Sequence, residues 1–184
     1  MWDRVYWHEL DPSRLQTAEA LSAQAERVGR QFADSWLTAK AIAGRSVVNL
    51  VAGRPHRARQ HGLRLFDLSR ESGDPRPRSM GLWCLALLDA THFALEEAVE
   101  SGREGARLAL SVVDRSLVEA GLGAALAMLG RSDEALPILT DIYQRFFSRG
   151  FVIPLPSIGP FKGIAMLQAG DMAGGTRWIE GCMV

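Results

Sequence analysis

The chain has 184 residues, 47% of them apolar and 23% charged, and its 21 basic side chains equal its 21 acidic ones. That balance excludes a disordered chain, and it lacks the basic excess by which phosphate neutralisation drives nucleic-acid binding. No run approaches the about 18 consecutive apolar residues of a membrane span, and Met1-Trp2-Asp3-Arg4 does not open a signal peptide, so a cytoplasmic chain without a membrane partner is expected.

Taken in order, Asp11-Pro12-Ser13 resembles a helix start, and residues 15–28 read as the second helix of an incomplete leading repeat (11–28). Residues 33–52 carry Trp36, Leu37, Ile42, Val47, Val48 and Val51 at helical spacing. They open a first hairpin over 30–70. Glu71-Ser72-Gly73-Asp74-Pro75 punctuates the chain before a second hairpin over 76–104, which contains the apolar run 82–88 and a buried Cys84. That thiol and Cys182 are too few and too far apart for a disulfide framework or a clustered zinc site. A third hairpin covers 107–149, with helices from Ser116 to Leu129 and from the acidic first turn Ser132-Asp133-Glu134 onward. Pro137 falls early in the second of these, where it is tolerated. Residues 150–160 hold Pro154, Pro156 and Pro160, which predict an extended, packed segment before a truncated fourth hairpin over 157–184.

A repeat of about forty residues underlies this order. Gly53, Asp89, Gly130 and Gly170 follow apolar stretches as turn residues, and Ala58, Ala94, Ala135 and Gly175 stand five positions after each. Glycine ends a helix in the left-handed conformation, and a small residue one turn into the next helix lets two antiparallel helices approach closely. Gly123 and Gly163, seven positions before their turns, serve the same approach. Hairpins of this kind stack into a solenoid. The expected fold is all-α, a right-handed α-solenoid of antiparallel helical hairpins in one domain.

The string Leu129-Gly130-Arg131-Ser132-Asp133-Glu134-Ala135-Leu136-Pro137-Ile138-Leu139 resembles the turn and second helix of a tetratricopeptide repeat, with Gly123 and Ala135 on that family's small positions and Leu139 in its aromatic one. The aromatic before the middle glycine is missing and the period exceeds thirty-four, so the repeats are degenerate. Residues 75–88, Val113-Asp114-Arg115 with Gly123-Ala124-Ala125, and the ending 169–180 also resemble the helical-repeat region that follows the catalytic domains of some bacterial class III adenylate/guanylate cyclases. That resemblance implies a regulatory region of a signalling protein, with a cyclase catalytic region as one partner. It carries no catalytic residue onto this chain.

Chemical constellations are sparse. Asp89, His92, Glu96 and Glu97 offer an i,i+4 pair but no clustered third metal ligand. His56 and His61 with Arg54, Arg57, Arg59 and Arg64 read as a solvated basic face. Gly159-Pro160-Phe161-Lys162-Gly163 lacks phosphate-loop spacing, no nucleophile elbow occurs, and His8-Glu9 lacks a second histidine. No catalytic site, metal or cofactor is expected.

What remains is surface. The first helix of each hairpin is expected to line a groove, in layers holding Lys40, Val47 and Leu50, then Arg76, Ser79, Trp83 and Leu87, then Leu117, Ala124 and Met128, then Ile164 and Gln168. Lys40 and Arg76 beside Trp83 suit a peptide carboxylate with an apolar anchor. The competing reading keeps Trp83 in the core, and a sensor that binds a small effector between hairpins is the alternative function. The apolar ending Trp178, Ile179, Cys182 and Met183 is expected to mark a truncated array or a self-association surface.

Overall fold

The computed structural model describes residues 14–148 and 155–182. Among them the chain is entirely helical: α1 (Leu15–Gln31), α2 (Ser35–Val51), α3 (Pro55–Ser72), α4 (Arg76–Thr91), α5 (Leu95–Leu108), α6 (Val112–Met128), α7 (Ser132–Phe147), α8 (Leu155–Gln168) and α9 (Met172–Cys182). The Asp11-Pro12-Ser13 start signal and residues 149–154 lie outside the described residues.

Five tight turns share one backbone design. Ala33, Gly53, Phe93, Gly130 and Gly170 adopt positive φ, between 51° and 90°. At each, that residue's N–H donates three residues back and the following N–H donates five residues back, as from Arg54 to Asn49 (2.8 Å) and Arg131 to Leu126 (2.9 Å). This paired closure satisfies the last carbonyls of the helix. Asp89 is therefore not a turn residue. It lies inside α4, its carbonyl accepts from Ala94 at 2.9 Å, and the left-handed slot four positions on belongs to Phe93. The small residue of that hairpin is correspondingly Ala98, fully buried, rather than Ala94.

The turns bring helices together wherever side chains are small. Ser46 Oγ donates to the Ala58 carbonyl and Ser79 Oγ to the Gly105 carbonyl, each at 2.9 Å. A Cβ on Gly81 would stand 3.0 Å from the Gly62 carbonyl oxygen, and one on Gly175 would stand 2.9 Å from the Gly163 carbonyl oxygen. The prolines of 155–160 do not keep that stretch extended. Pro156 falls in the first turn of α8, where no N–H is needed, and Pro160 costs the helix one hydrogen bond without ending it.

Each helix packs on its neighbours in sequence, and the first helices of successive hairpins also touch: α2 with α4, α4 with α6, α6 with α8. The second helices make no comparable backbone approach among the described residues. Long side chains bridge them instead, as Arg103 does to Glu134. One layer is thus close-packed and the other spaced.

Two apolar clusters fill the interior. Ile42, Leu65, Met80 and Cys84 join α2, α3 and α4, while Ala98, Leu122, Leu126, Leu139, Ile142 and Ile158 join α5 to α8. Helix α1 belongs to neither. Its buried residues are Ala18, Ser22, Ala25, Glu26 and Gly29.

Candidate interaction surface

The close-packed layer presents α2, α4, α6 and α8 side by side. At one end, Asp34 caps α2 by accepting from the N–H groups of Trp36 (3.0 Å) and Leu37 (2.9 Å), which fixes the first turn of α2. Trp36 then carries two cations on its ring: Lys40 Nζ is 4.8 Å from the centroid and the Arg76 guanidinium 5.3 Å. Arg76 is held from a second side by Asp74, whose carboxylate accepts from Nε at 3.0 and 2.9 Å and from the terminal nitrogen at 2.7 Å. Asp74 also accepts from Ser35 Oγ at 2.8 Å. The Arg76 hydrogen bonds hold the Asp74 carboxyl down at about 2, and the same contact raises Arg76 above its ordinary value.

Lys40 has no carboxylate partner among the described residues, so its ammonium is balanced only by the Trp36 ring. An open groove of about 490 Å³ runs from Lys40 and Trp36 to Leu110, Val113 and Asp114 at the start of α6. Leu110 is 69% exposed there. Ser111 caps α6 through the Asp114 N–H (3.0 Å) and donates its hydroxyl to the Asp114 carboxylate. Beneath this groove, between α4 and α6, a cleft lined by Met80, Trp83, Leu117 and Val118 encloses about 10 Å³. That is room for a single water at most.

At the other end of the same helices, Val47, Leu50, Val51 and Leu87 line a second open groove, of about 570 Å³ and almost wholly apolar, with His92 and Pro55 on its rim.

The predicted groove residues are distributed along this face. Lys40 and Arg76 line the first groove, whereas Trp83 lines the small cleft with Arg76 and packs partly buried against the α2–α4 cluster. Leu87 joins Val47 and Leu50 in the second. Ser79 turns inward to the Gly105 carbonyl, so its hydroxyl serves helix packing. Met128 packs half-buried on the second apolar cluster. Gln168 Nε2 donates to the Ala127 carbonyl at 2.9 Å, tying α8 to α6. Trp36, Leu110, Val113 and Asp114 escaped sequence reasoning. Trp36 stands one turn before Lys40 and was findable by that spacing, whereas Leu110, just before α6, and Val113, in its first turn, reach the groove only once α5 and α6 are docked.

Several members of the weighed ligand sets are otherwise engaged. Asp89 pairs with Arg59, and the His92 ring contacts the Leu88 carbonyl at 2.8 Å. In the basic stretch, Arg54 reaches Glu19 (3.4 Å), Arg64 reaches Glu26, and His61 contacts Arg64 at 3.2 Å. The Lys162 ammonium lies 3.7 Å from the Trp178 ring centroid, Trp178 meets Tyr143 edge-on at 4.8 Å, and Gly163 receives Ile179. The expected apolar end is thus partly covered from within. Cys182 and Met183 fall outside the described side chains.

An all-α protein of tandem helical hairpins with one grooved layer is the class this architecture defines. No family model, curated protein or solved structure matches the chain. No described helix is long and apolar enough to cross a membrane.

Proposed function

We propose that this chain is a non-catalytic protein-interaction module, a right-handed α-solenoid of degenerate tetratricopeptide-like hairpins that grips a peptide or partner domain along the grooved layer. One observation carries the reading. Trp36, Lys40 and Leu87 stand partly exposed along two adjacent helices, in grooves that open outward, while the cleft that Trp83 lines takes no more than a water. An aromatic anchor beside a cation that has no carboxylate partner among the described residues is what binding hot spots are made of. The regulatory setting implied by the cyclase resemblance makes a class III cyclase catalytic domain the first partner to try.

The test is a peptide-display selection against the folded chain, followed by binding of that catalytic domain. Selected ligands are expected to shift the amide resonances of α2, α4 and α6. They should weaken about tenfold or more with Trp36→Ala, a loss typical of a binding anchor, and measurably with Lys40→Glu. Ligands that shift only α3, α5 and α7, or a metabolite that stabilises the protein where peptides do not, would overturn the reading.

A further inference from the structure

Helix α1 is attached unlike any other. Its buried face offers Ala18, Ser22, Ala25, Glu26 and Gly29, and its larger aliphatic side chains, Leu15, Leu21 and Val28, are only partly buried and join neither core cluster. Burial of apolar area is what makes a docked helix costly to remove. In its place stands an ion cluster: Glu26 pairs with Arg64 of α3, with Arg45 of α2 (3.0 Å) and with Arg30 (3.4 Å), and Glu19 pairs with Arg54 (3.4 Å). Ser22 Oγ and Arg45 Nε are buried at this junction without a hydrogen-bond partner among the described residues, which weakens it further.

The turn that folds α1 back onto α2 is also the wrong one for its residues. Ala33 holds φ 51°, a conformation that glycine takes without strain and alanine does not. From Arg30 to Leu37 the sequence has neither Gly nor Pro, and alanine is the best helix former. Straightening this turn would merge α1 and α2 into one helix over 15–51, about 55 Å long. Phe93 is the other non-glycine turn, but there Ala90 before it and Ala98 and Val99 after it are all locked into the second apolar cluster. Only at Ala33 is one side of a strained turn free of both cores.

We propose that this chain forms an α1-exchanged homodimer, in which residues 15–31 of each copy leave their own α2 and α3 and dock on those of the other. The exchanged contacts are those already present within one copy, so the surfaces fit by construction and the gain is the relief of two strained turns. The occupant is a second copy because the docking face, with Arg45, Arg64 and Arg54 placed for Glu26 and Glu19, is one this chain already builds for its own α1.

A mixing experiment decides this. One copy of the chain carries Glu19→Cys and another Arg54→Cys, both with Cys182→Ser, and the two are refolded together at low and high concentration before mild oxidation. The expected product is a covalent heterodimer whose yield rises with concentration. With Ala33→Gly in both chains the dimer should dissociate about tenfold more readily, because each copy then closes without strain. Phe93→Gly should leave the yield unchanged. Circular-dichroism melting confirms that each variant is folded. Absence of an interchain disulfide at high concentration overturns the proposal, as does loss of the dimer with Phe93→Gly in place of Ala33→Gly.

Discussion

Phe93 is a residue the fold would do better without. It occupies the left-handed slot that Gly53, Gly130 and Gly170 fill elsewhere, and its ring is 79% exposed. Phe93→Gly is expected to raise the free energy of unfolding by about 1 kcal/mol, measured by urea denaturation; a loss of stability would mean the ring packs. His61 gives a residue-level pH prediction. Burial first, then the charges of Arg45 and Arg64, push its imidazole down to about 4, while the unfolded chain titrates near the ordinary 6.5. Between these values the unfolded state binds the extra proton. His61 therefore costs nothing above pH 6.5 and destabilises progressively as pH falls towards 4, by on the order of 1–3 kcal/mol for a half-buried group. A His61→Gln variant should show a flatter stability profile across pH 4–6.5, and an unchanged slope would refute this. Asp74 works lower in the scale. Its contribution is complete above 3.8 and fades as pH drops through about 2. Glu26 behaves likewise in direction: burial pushes its carboxyl up, but Arg64 and Arg45 outweigh that and hold it below the usual range.

At the scale of elements, helix pairs meet where side chains are smallest. A Cβ on Gly29 would stand 2.7 Å from the Thr38 backbone nitrogen, which cannot move aside as a side-chain tip can. Gly29→Ala should therefore cost about 1–3 kcal/mol and loosen α1 ahead of the rest, as hydrogen exchange would register. If α1 amides keep their protection, the clash is absorbed elsewhere. Helices were legible in the sequence because apolar spacing and glycine turns agree, as at Gly130 followed by Ser132-Asp133-Glu134. The turn at Phe93 was not, since no bulky aromatic announces a left-handed backbone. Asp89 attracted the assignment by its polarity, although its side chain is spoken for by Arg59. Residues 155–160 misled for a related reason: two prolines signal a break, yet one at the first turn and one inside a helix braced by α6 and α7 leave α8 standing. Along the groove, the positions of Lys40 and Arg76 followed from helical register, while Trp83 faces the small cleft and Leu110 and Val113 required knowing how α5 turns into α6.

For the whole molecule, the two layers differ in kind. The layer of α2, α4, α6 and α8 touches along its length, whereas α3, α5 and α7 are spaced and spanned by arginine–carboxylate contacts such as Arg103 to Glu134 and, from α1, Glu26 to Arg64. Apolar contact resists sliding at short range, while half-exposed ion pairs contribute little each and are screened by salt. The array is therefore expected to respond mechanically like a bimetal strip, stiff on one side and compliant on the other. Its curvature is then a variable with a small restoring force, set by how far the arginine struts stretch. Small-angle scattering should find the radius of gyration drifting with ionic strength while helicity by circular dichroism stays constant. A rigid radius would show that the struts bear no load. A partner lying in the grooves would meet a surface able to tighten or relax around it, so that affinity could be tuned from the back of the molecule by charges the partner never touches.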